Sequence, residues 1–546
     1  MIQAEMNREE LDMVLETVHS FAKRRMTPAF LLKCDKEEKC PEDVIREMLG
    51  PEVGLQLAFI PTAFGGLGGG AYHIFRISET VAGLDLGIAT SLLGVSLGTD
   101  PIRVGGSPEQ KKRWMSRVAE EGLVVAYAVT EPSAGSDLAH IKTKAVPVVE
   151  NGKTVAYVIN GSKQFITNGS IADLYTVLAV APGGPSFFVV ERGTPGLIPG
   201  NPEEKHGIRA SNTAPLTLED VRVPAENLLG GVEGQGLRQA ATVFGYTRVM
   251  VASFGLGAGV AALKKAIEYG KQRFQGGSLL CEKPGWTHKL IVPHLVALEA
   301  ARSHIEMVAM ALDSGKEGLE VEGAIAKMTA TEAGNAAAEA AIQAHGGYGY
   351  MHPYEVEKIK RDVRITCIYE GTTEICQRTV AQDRWRLHLM TQSGFYRKRA
   401  AELDKIAEKH PASGAAETAR AMRALAEIME VCRLQRLTRH QHVLFVLGWL
   451  CARAEVAEAF ARKVAGGDPL SSSYPMPVLA ACSRIWARRV AQEVANEGLT
   501  LLTGTGALAG NSLKDFLRLI ELENIHGSMA GYLEDMDAVS RAVFAG

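Results

Sequence analysis

The sequence predicts an α+β protein: an N-terminal helical domain, a central β domain, a C-terminal helical bundle and an extra C-terminal helical domain. Three observations predict it. Apolar residues recur at helical spacing up to about residue 123. Short Val-, Thr- and Tyr-rich runs fill 124–228, and long Ala-rich periodic stretches occupy the rest. Strands gathered in one block between helical blocks argue for segregated layers, not for an alternating sheet. The expected domains are 1–123, 124–228, 229–389 and 390–546.

In the first block, Leu11, Val14, Leu15, Val18 and Phe21 share one helical face. A Gly-rich break, PTAFGGLGGGAYH, leads into an apolar stretch over 74–104, and 111–121 reads as a charged helix. In the β block, LVVAYAVT, AVPVVENGKTVAYVING, LYTVLAVA, PSFFVVER and APLTLEDVRVP read as strands, with Asn151 and Gly152 as a hairpin turn. A Gly-rich linker at 230–236 precedes helices expected over 237–272, 290–315, 321–345 and 371–389. Beyond 390 the pattern stays helical, with loops at 410–414 and 466–477. AAIQAHGGYGYMHPYEVEKIKRDVRITCIYEGTTE resembles EGLTLLTGTGALAGNSLKDFLRLIELENIHGSMAG: Gly349 lies 21 residues before Glu370, and Gly506 lies 21 before Gly527. The last domain thus reads as a degenerate repeat of the bundle, with a glycine where the first copy has an acid.

A chain of 546 residues exceeds one compact core, so about three or four packed units are expected. Its 46% hydrophobic and 22% charged residues suit a soluble globular enzyme. A net charge of −3 gives no general attraction for nucleic acid or anionic lipid. The eight cysteines include no C-x-x-C pair and no zinc-site spacing, so free thiols of a reducing cytosol are expected and no metal. The N-terminal stretch MIQAEMNREELDMVLETVHSF carries acids at once and no apolar signal core, which points to a cytoplasmic protein. VLFVLGWLCA, 443–452, is about half the ~20 residues of a membrane span, so a buried helix segment is expected and membrane contact is not.

Three segments could carry chemistry. YAVTEPSAGSD, 127–137, has the small and hydroxylated residues that let backbone amides approach a planar or anionic ligand, but an ordinary polar turn has them too. QAHGGYG, 343–349, ends a helix; one glycine would cap it, and three glycines in four residues leave room for a phosphate or another backbone. RITCIYEGTTE, 364–374, places Glu370 before Gly371, and Thr372 or Thr373 suits a helix N-cap.

Together with GSKQFITNG, these segments resemble the acyl-CoA dehydrogenase family, in its order and spacing, over roughly residues 5–386. The resemblance implies FAD as cofactor. Tyr127, Val129, Thr130, Gly135 and Ser136 would line the flavin, and Ser136 would also reach the pantetheine of the substrate. Phe165 would lie on the ring face, where many relatives have Trp, and Thr167 would donate to flavin N5. Arg273 would meet the pyrophosphate, and Gln343, Gly346 and Gly347 the adenosine part, both from a neighbouring chain; Thr372 and Glu374 would stand near the same cofactor. Arg248 would lie beside the substrate or form a structural ion pair. Tyr369 would wall the thioester region, and Gly371 would give the turn room.

The implied reaction is α,β-dehydrogenation of an acyl-CoA to a trans-2-enoyl-CoA. Glu370 takes the α-proton, its backbone N–H stabilises the enolate, and a β-hydride goes to the flavin. One subgroup of the family carries the acid at the position of Thr247, which cannot act as a base here. Electron-transferring flavoprotein is the implied acceptor. The extension resembles in layout the very-long-chain branch, and a homodimer is expected, with a tetramer as the alternative. An acyl-CoA oxidase, a decarboxylating dehydrogenase and a scaffold on the same fold are the competing readings. Residues 85–99 hold no Arg or Lys, which argues against the second.

Overall fold

The computed structural model describes residues 5–469 and 471–545, apart from the Tyr246 side chain. It divides into two compact units. One holds the chain up to Ala258, with Ala309–Leu319 and Lys358–Ile365; the other holds Gly259–Val308, Glu320–Glu357 and Thr366–Gly546.

The first unit begins with six helices: α1 (Arg8–Arg25), α2 (Pro28–Lys36), α3 (Glu42–Leu49), α4 (Ala71–Leu84), α5 (Leu86–Gly105) and α6 (Pro108–Glu121). Local chemistry sets their starts. Asp85 caps α5, its Oδ1 accepting from the Ile88 amide at 2.9 Å. Ser107 and Gln110 form a capping box on α6, with Pro108 at its first position. The Gly-rich break feeds α4, and the 74–104 apolar stretch divides into α4 and the almost wholly buried α5.

Seven strands follow: β1 (Val125–Ala128), β2 (Lys144–Glu150), β3 (Lys153–Thr167), β4 (Leu174–Ala181), β5 (Gly184–Glu191), β6 (Leu197–Pro199) and β7 (Thr213–Pro224). Their order is β1-β4-β2-β3-β7-β6, with β5 also on β4; β1 and β4 run parallel, whereas β2–β3, β3–β7 and β4–β5 are antiparallel. Asn151 and Gly152 take φ of 50° and 75°, the two positive values a tight hairpin turn needs. α5 lies against this sheet on a stripe of small residues. A Cβ at Gly94 would come within 3.0 Å of Thr167 Cγ2, and one at Gly98 within 2.8 Å of Val125 Cγ1. The helix backbone therefore reaches the strands directly, and Thr176 Oγ1 donates to the Gly98 carbonyl at 2.9 Å.

The remaining elements are α7 (Gly236–Gln272), β8 (Phe274–Gln275), β9 (Ser278–Leu279), α8 (Pro284–Leu290), α9 (Val292–Asp313), α10 (Glu320–His345), α11 (Glu355–Val363) and α12 (Thr373–Met390). The extension adds α13 (Gly394–Lys409), α14 (Ala415–Leu434), α15 (Gln441–Gly466), α16 (Met476–Gly504), α17 (Gly510–Leu519), α18 (Leu522–Gly527) and α19 (Tyr532–Phe544). In the second unit α15 packs on α12 at Gly448, where a Cβ would strike the Gln377 carbonyl at 2.1 Å. Buried charges reinforce that seam: Arg384 on α12 donates to both carboxylate oxygens of Glu455 on α15, at 2.7 and 2.9 Å. Tyr396 on α13 donates to the same Glu455 at 2.8 Å.

The apolar run 443–452 lies inside α15, with Val443, Leu447, Leu450, Cys451 and Ala452 buried. By length and hydropathy α7 is the described helix apolar enough to cross a membrane, and 72% of that stretch is buried. The two resembling segments share the order long helix, Gly-bearing turn, short amphipathic helix, short helical turn, final helix. Their registers part near the end. Glu370 lies in a left-handed turn before α12, whereas Gly527 ends α18 and the left-handed residue before α19 is Gly531.

Candidate active site

The chemistry-bearing residues fall into three groups, one on the first unit and two on the second. On the first unit, the loop after β1 is braced from beneath. Glu131 turns inward and accepts from the Lys142 amide at 2.6 Å, the Thr143 amide at 3.0 Å and Lys163 Nζ at 2.8 Å. Lys163 Nζ also donates to the Val129 carbonyl at 3.1 Å. Both side chains are buried. Burial pushes the Lys163 ammonium down to about 8, with Glu131 pulling the other way. Burial opposes the Glu131 charge, yet the bonds from Lys163, Thr143 and Lys142 hold its carboxyl below the usual range.

This brace sets the predicted residues. Val129 is buried and gives its carbonyl to Lys163; Tyr127 stacks on Phe187 with ring centres 5.8 Å apart. Thr130 is half-exposed, and Gly135 and Ser136 stand open. The Gln164 amide donates to the Thr130 carbonyl at 2.9 Å, joining the loop to β3 beside Phe165. There the pairing of β3 with β7 shifts between Lys163 and Ile166, so two residues oppose one. Phe165 sits in that bulge at φ 59° with 64% of its surface exposed, and Thr167 follows it. A bulge re-aims a side chain, and this one holds an aromatic plane outward on the strand that runs on to Thr167. That arrangement fits a flat, polar-edged ring. Arg248 lies half-buried on α7 beside buried Thr247.

On the second unit, Arg273 lies over the Tyr348 ring, its guanidinium carbon 5.8 Å from the ring centre. Arg273 is thereby brought to the turn after α10. His345 donates from Nδ1 to the Ala341 carbonyl at 2.7 Å, and its ring stacks on Tyr269 at 4.5 Å. Trp286 on α8 donates to the Ala344 carbonyl at 3.3 Å. Gln343, Gly346 and Gly347 are exposed on this fixed base, and no atom lies within 4 Å of where a Cβ at either glycine would stand. Gly349 is the structural member, since a Cβ there would meet the Ile342 carbonyl at 2.3 Å.

Glu370 lies in the turn before α12 with φ of 55°, followed by Gly371 at 94°. A left-handed conformation at a non-glycine residue costs roughly 1–2 kcal/mol and needs support from its surroundings. Three ties supply it. Lys327 Nζ on α10 donates to the Gly371 carbonyl at 2.6 Å, Thr373 Oγ1 donates to Glu332 Oε1 at 2.7 Å, and Thr372 caps α12 by accepting from the Ile375 amide at 3.3 Å. Tyr369 and Glu370 are half-buried, and Glu374 is exposed in the first turn of α12.

Family models for the N-terminal, middle and C-terminal domains of acyl-CoA dehydrogenases match residues 8–122, 126–221 and 234–384. The chain belongs to the acyl-CoA dehydrogenase family. An acyl-CoA dehydrogenase of Bacillus subtilis (strain 168) is 38% identical over 381 residues, covering 67% of this chain and 96% of that protein. A chain in a structure of the electron transferring flavoprotein of Acidaminococcus fermentans, described in terms of flavin-based electron bifurcation, is 33% identical with TM-score 0.64, over 68% of this chain and 96% of that one. The extension also has a counterpart in fold. An acyl-CoA dehydrogenase from Bacillus anthracis, complexed with FAD, matches 99% of this chain and 95% of its own with TM-score 0.83 and 23% identity.

Three supporting residues of this acyl-CoA dehydrogenase escaped the sequence reading. Lys163 and Lys327 touch the loop and the turn, and Glu131 holds the first of these lysines. The signal was present: Lys163 interrupts a strand, and Lys327 stands alone in the Ala-, Ile-, Met- and Thr-rich AIAKMTAT stretch of α10. A lone cation on an apolar face needs a partner.

Proposed function

We propose that the enzyme dehydrogenates an acyl-CoA thioester at its α and β carbons, with Glu370 as the base and FAD as the cofactor. The observation that carries the reading is the carboxylate of Glu370 held at φ 55° in a turn tied down at Gly371, Thr372 and Thr373. Strain supported from several sides marks a residue whose position matters more than its local comfort.

FAD supplies the hydride acceptor for the β carbon. The residues that would hold it are Thr130, Gly135, Ser136, Phe165 and Thr167 on the first unit, with Tyr127 and Val129 supporting the loop. Arg273, Gln343, Gly346 and Gly347 are the candidates that a neighbouring copy of the chain would bring to the same cofactor, with Thr372 and Glu374 near it. The exposed Phe165 ring and the open Gly346–Gly347 backbone are the features that fit such a cofactor. Glu370 removes the α-proton, its backbone N–H donates to the thioester oxygen as charge develops there, and Tyr369 and Gly371 shape that region. Arg248 contributes beside the substrate.

Electron-transferring flavoprotein is the proposed acceptor, which the Acidaminococcus likeness supports. A cytoplasmic homodimer is the proposed state, with the extension taking up packing surface that a second dimer would otherwise need.

The test is anaerobic bleaching of the flavin band by a panel of short, medium, long, branched and alicyclic acyl-CoAs, with Glu370→Gln as control. Bleaching by one class, lost in the variant by roughly 10²–10⁴-fold in rate, is expected. Turnover that survives Glu370→Gln sinks the base assignment.

A further inference from the structure

Lys327 has no exposed surface, and it sits in the middle of a helix made largely of small and apolar residues. Such a placement is costly unless the ammonium is partnered. Its Nζ reaches the Gly371 carbonyl at 2.6 Å, a short charge-assisted bond to the residue after Glu370. The same carbonyl lies 3.8 Å from the Cys376 thiol, and Thr373 ties the far side of the turn to Glu332, also on α10. The groups that act on the ammonium are Cys376 on α12, Cys367 before the turn, Glu370 in it and Glu332 on α10. Burial lowers the Lys327 pKa, and these four acids and thiols pull the other way.

Two consequences follow. The carbonyl of Gly371 cannot rotate without breaking the bond to Lys327, so the peptide that follows Gly371 is pinned to α10 and the turn beginning at Glu370 is held one residue beyond the acid. The buried ammonium also acts electrostatically on the Glu370 carboxylate.

We propose that Lys327 is the positioning residue of the base: it clamps the Gly371 carbonyl so that the Glu370 carboxylate and backbone N–H keep one orientation, and its charge favours the ionised carboxylate. The inference rests on Glu370 being the base. It assigns to one buried lysine both the geometry and the ionisation of that acid.

The test uses Lys327→Met and Lys327→Gln in the full-length, FAD-loaded enzyme. Flavin reduction at saturating acyl-CoA is followed across pH without oxygen. Lys327→Met is expected to lose roughly 10- to 100-fold in rate, with FAD content and KM close to wild type. Its acidic limb should move up by about one pH unit, because a lost cation disfavours the ionised carboxylate. Lys327→Gln keeps a donor without the charge, so it should recover part of the rate and retain the shifted limb.

A readout independent of turnover is the infrared band of the Glu370 carboxyl, recognised as the band missing from Glu370→Gln. It should titrate at higher pH in both lysine variants. If Lys327→Met does not fold, the limb and band of Lys327→Gln carry the test. An unchanged rate and limb, or a lost rate with an unmoved limb and band, overturns the proposal. Turnover surviving in Glu370→Gln is a different failure, since it removes the base whatever the lysine variants do.

Discussion

Replacing Lys163 by Met should loosen the loop after β1 through a buried charge left behind. In the wild type the Glu131 carboxylate has three donors, Lys163 Nζ at 2.8 Å and the amides of Lys142 and Thr143 at 2.6 and 3.0 Å. Breaking a buried pair by removing one partner costs about 3–5 kcal/mol. Glu131 keeps two backbone donors, so the lower end, about 3 kcal/mol, is expected. The Val129 carbonyl also loses its bond to Lys163, so the loop itself is released. Pairing Lys163→Met with Glu131→Gln removes both charges, and the double variant should recover at least about 1.5 kcal/mol of the summed single costs. The assay is hydrogen exchange of the β3 and β7 amides, which reads the opening free energy of that sheet locally. FAD affinity, measured by titrating the apoprotein, should fall about tenfold in Lys163→Met, a loss of ~1.4 kcal/mol. Protection unchanged within about 1 kcal/mol, or strictly additive single costs, would refute the brace.

Two further outcomes test the second unit. His304 is fully buried, and burial pushes its pKa down to about 4, well below the ~6.5 of an unfolded histidine. The unfolded chain therefore binds the extra proton between those values. The stability this neutral histidine permits is intact above about 6.5 and falls away towards 4, by roughly 3 kcal/mol in all. His304→Gln should flatten the acid side of the stability profile by that amount, and parallel profiles would contradict the assignment. Arg384→Met takes one of two arginines from the buried Glu455 carboxylate, which keeps Arg399 at 3.1 Å and the Tyr396 hydroxyl, so the lower end of the cost, about 3 kcal/mol, is expected, seen as faster exchange in α12 and α15 together. Unaltered protection in α15 would show that the ion pair does not join those helices.

The strands beyond the sequence reading were hidden by the same irregularities that serve function. GSKQFIT was set apart as a motif, yet it is the second half of β3, which runs unbroken to Thr167. Gly161 at φ 154° and the bulge at Phe165 break the two-residue alternation that identifies a strand. β6 and the β8–β9 pair are too short to carry a period at all. The long helices were legible because their repetition is long and their ends carry explicit signals, such as the Thr372 cap of α12 and the Pro108 start of α6. The predicted site residues were legible as motifs. What supports them was legible only in part: a lysine inside a strand and a lone lysine in an Ala-rich helix call for partners, but Glu131, the Val129 carbonyl and the Gly371 carbonyl meet them through tertiary contacts that no local pattern names.

α12 ties the extension to the turn that carries Glu370. The helix starts at Thr373, immediately after the turn that carries Glu370, and its buried far half is held by α15 through Gly448 and by the Arg384–Glu455 pair. Arg384 is eleven residues beyond Thr373, about 16 Å along the helix axis. A helix anchored at that distance cannot pivot at its N-terminus without breaking a buried ion pair. The extension repeats the order of elements of the bundle, but its register drifts by the end of α18, and no acid stands at its final left-handed residue, Gly531. The outer face of α12 is covered by α13, α14 and α15, which lie outside the two resembling segments, so the anchoring of α12 does not depend on that likeness.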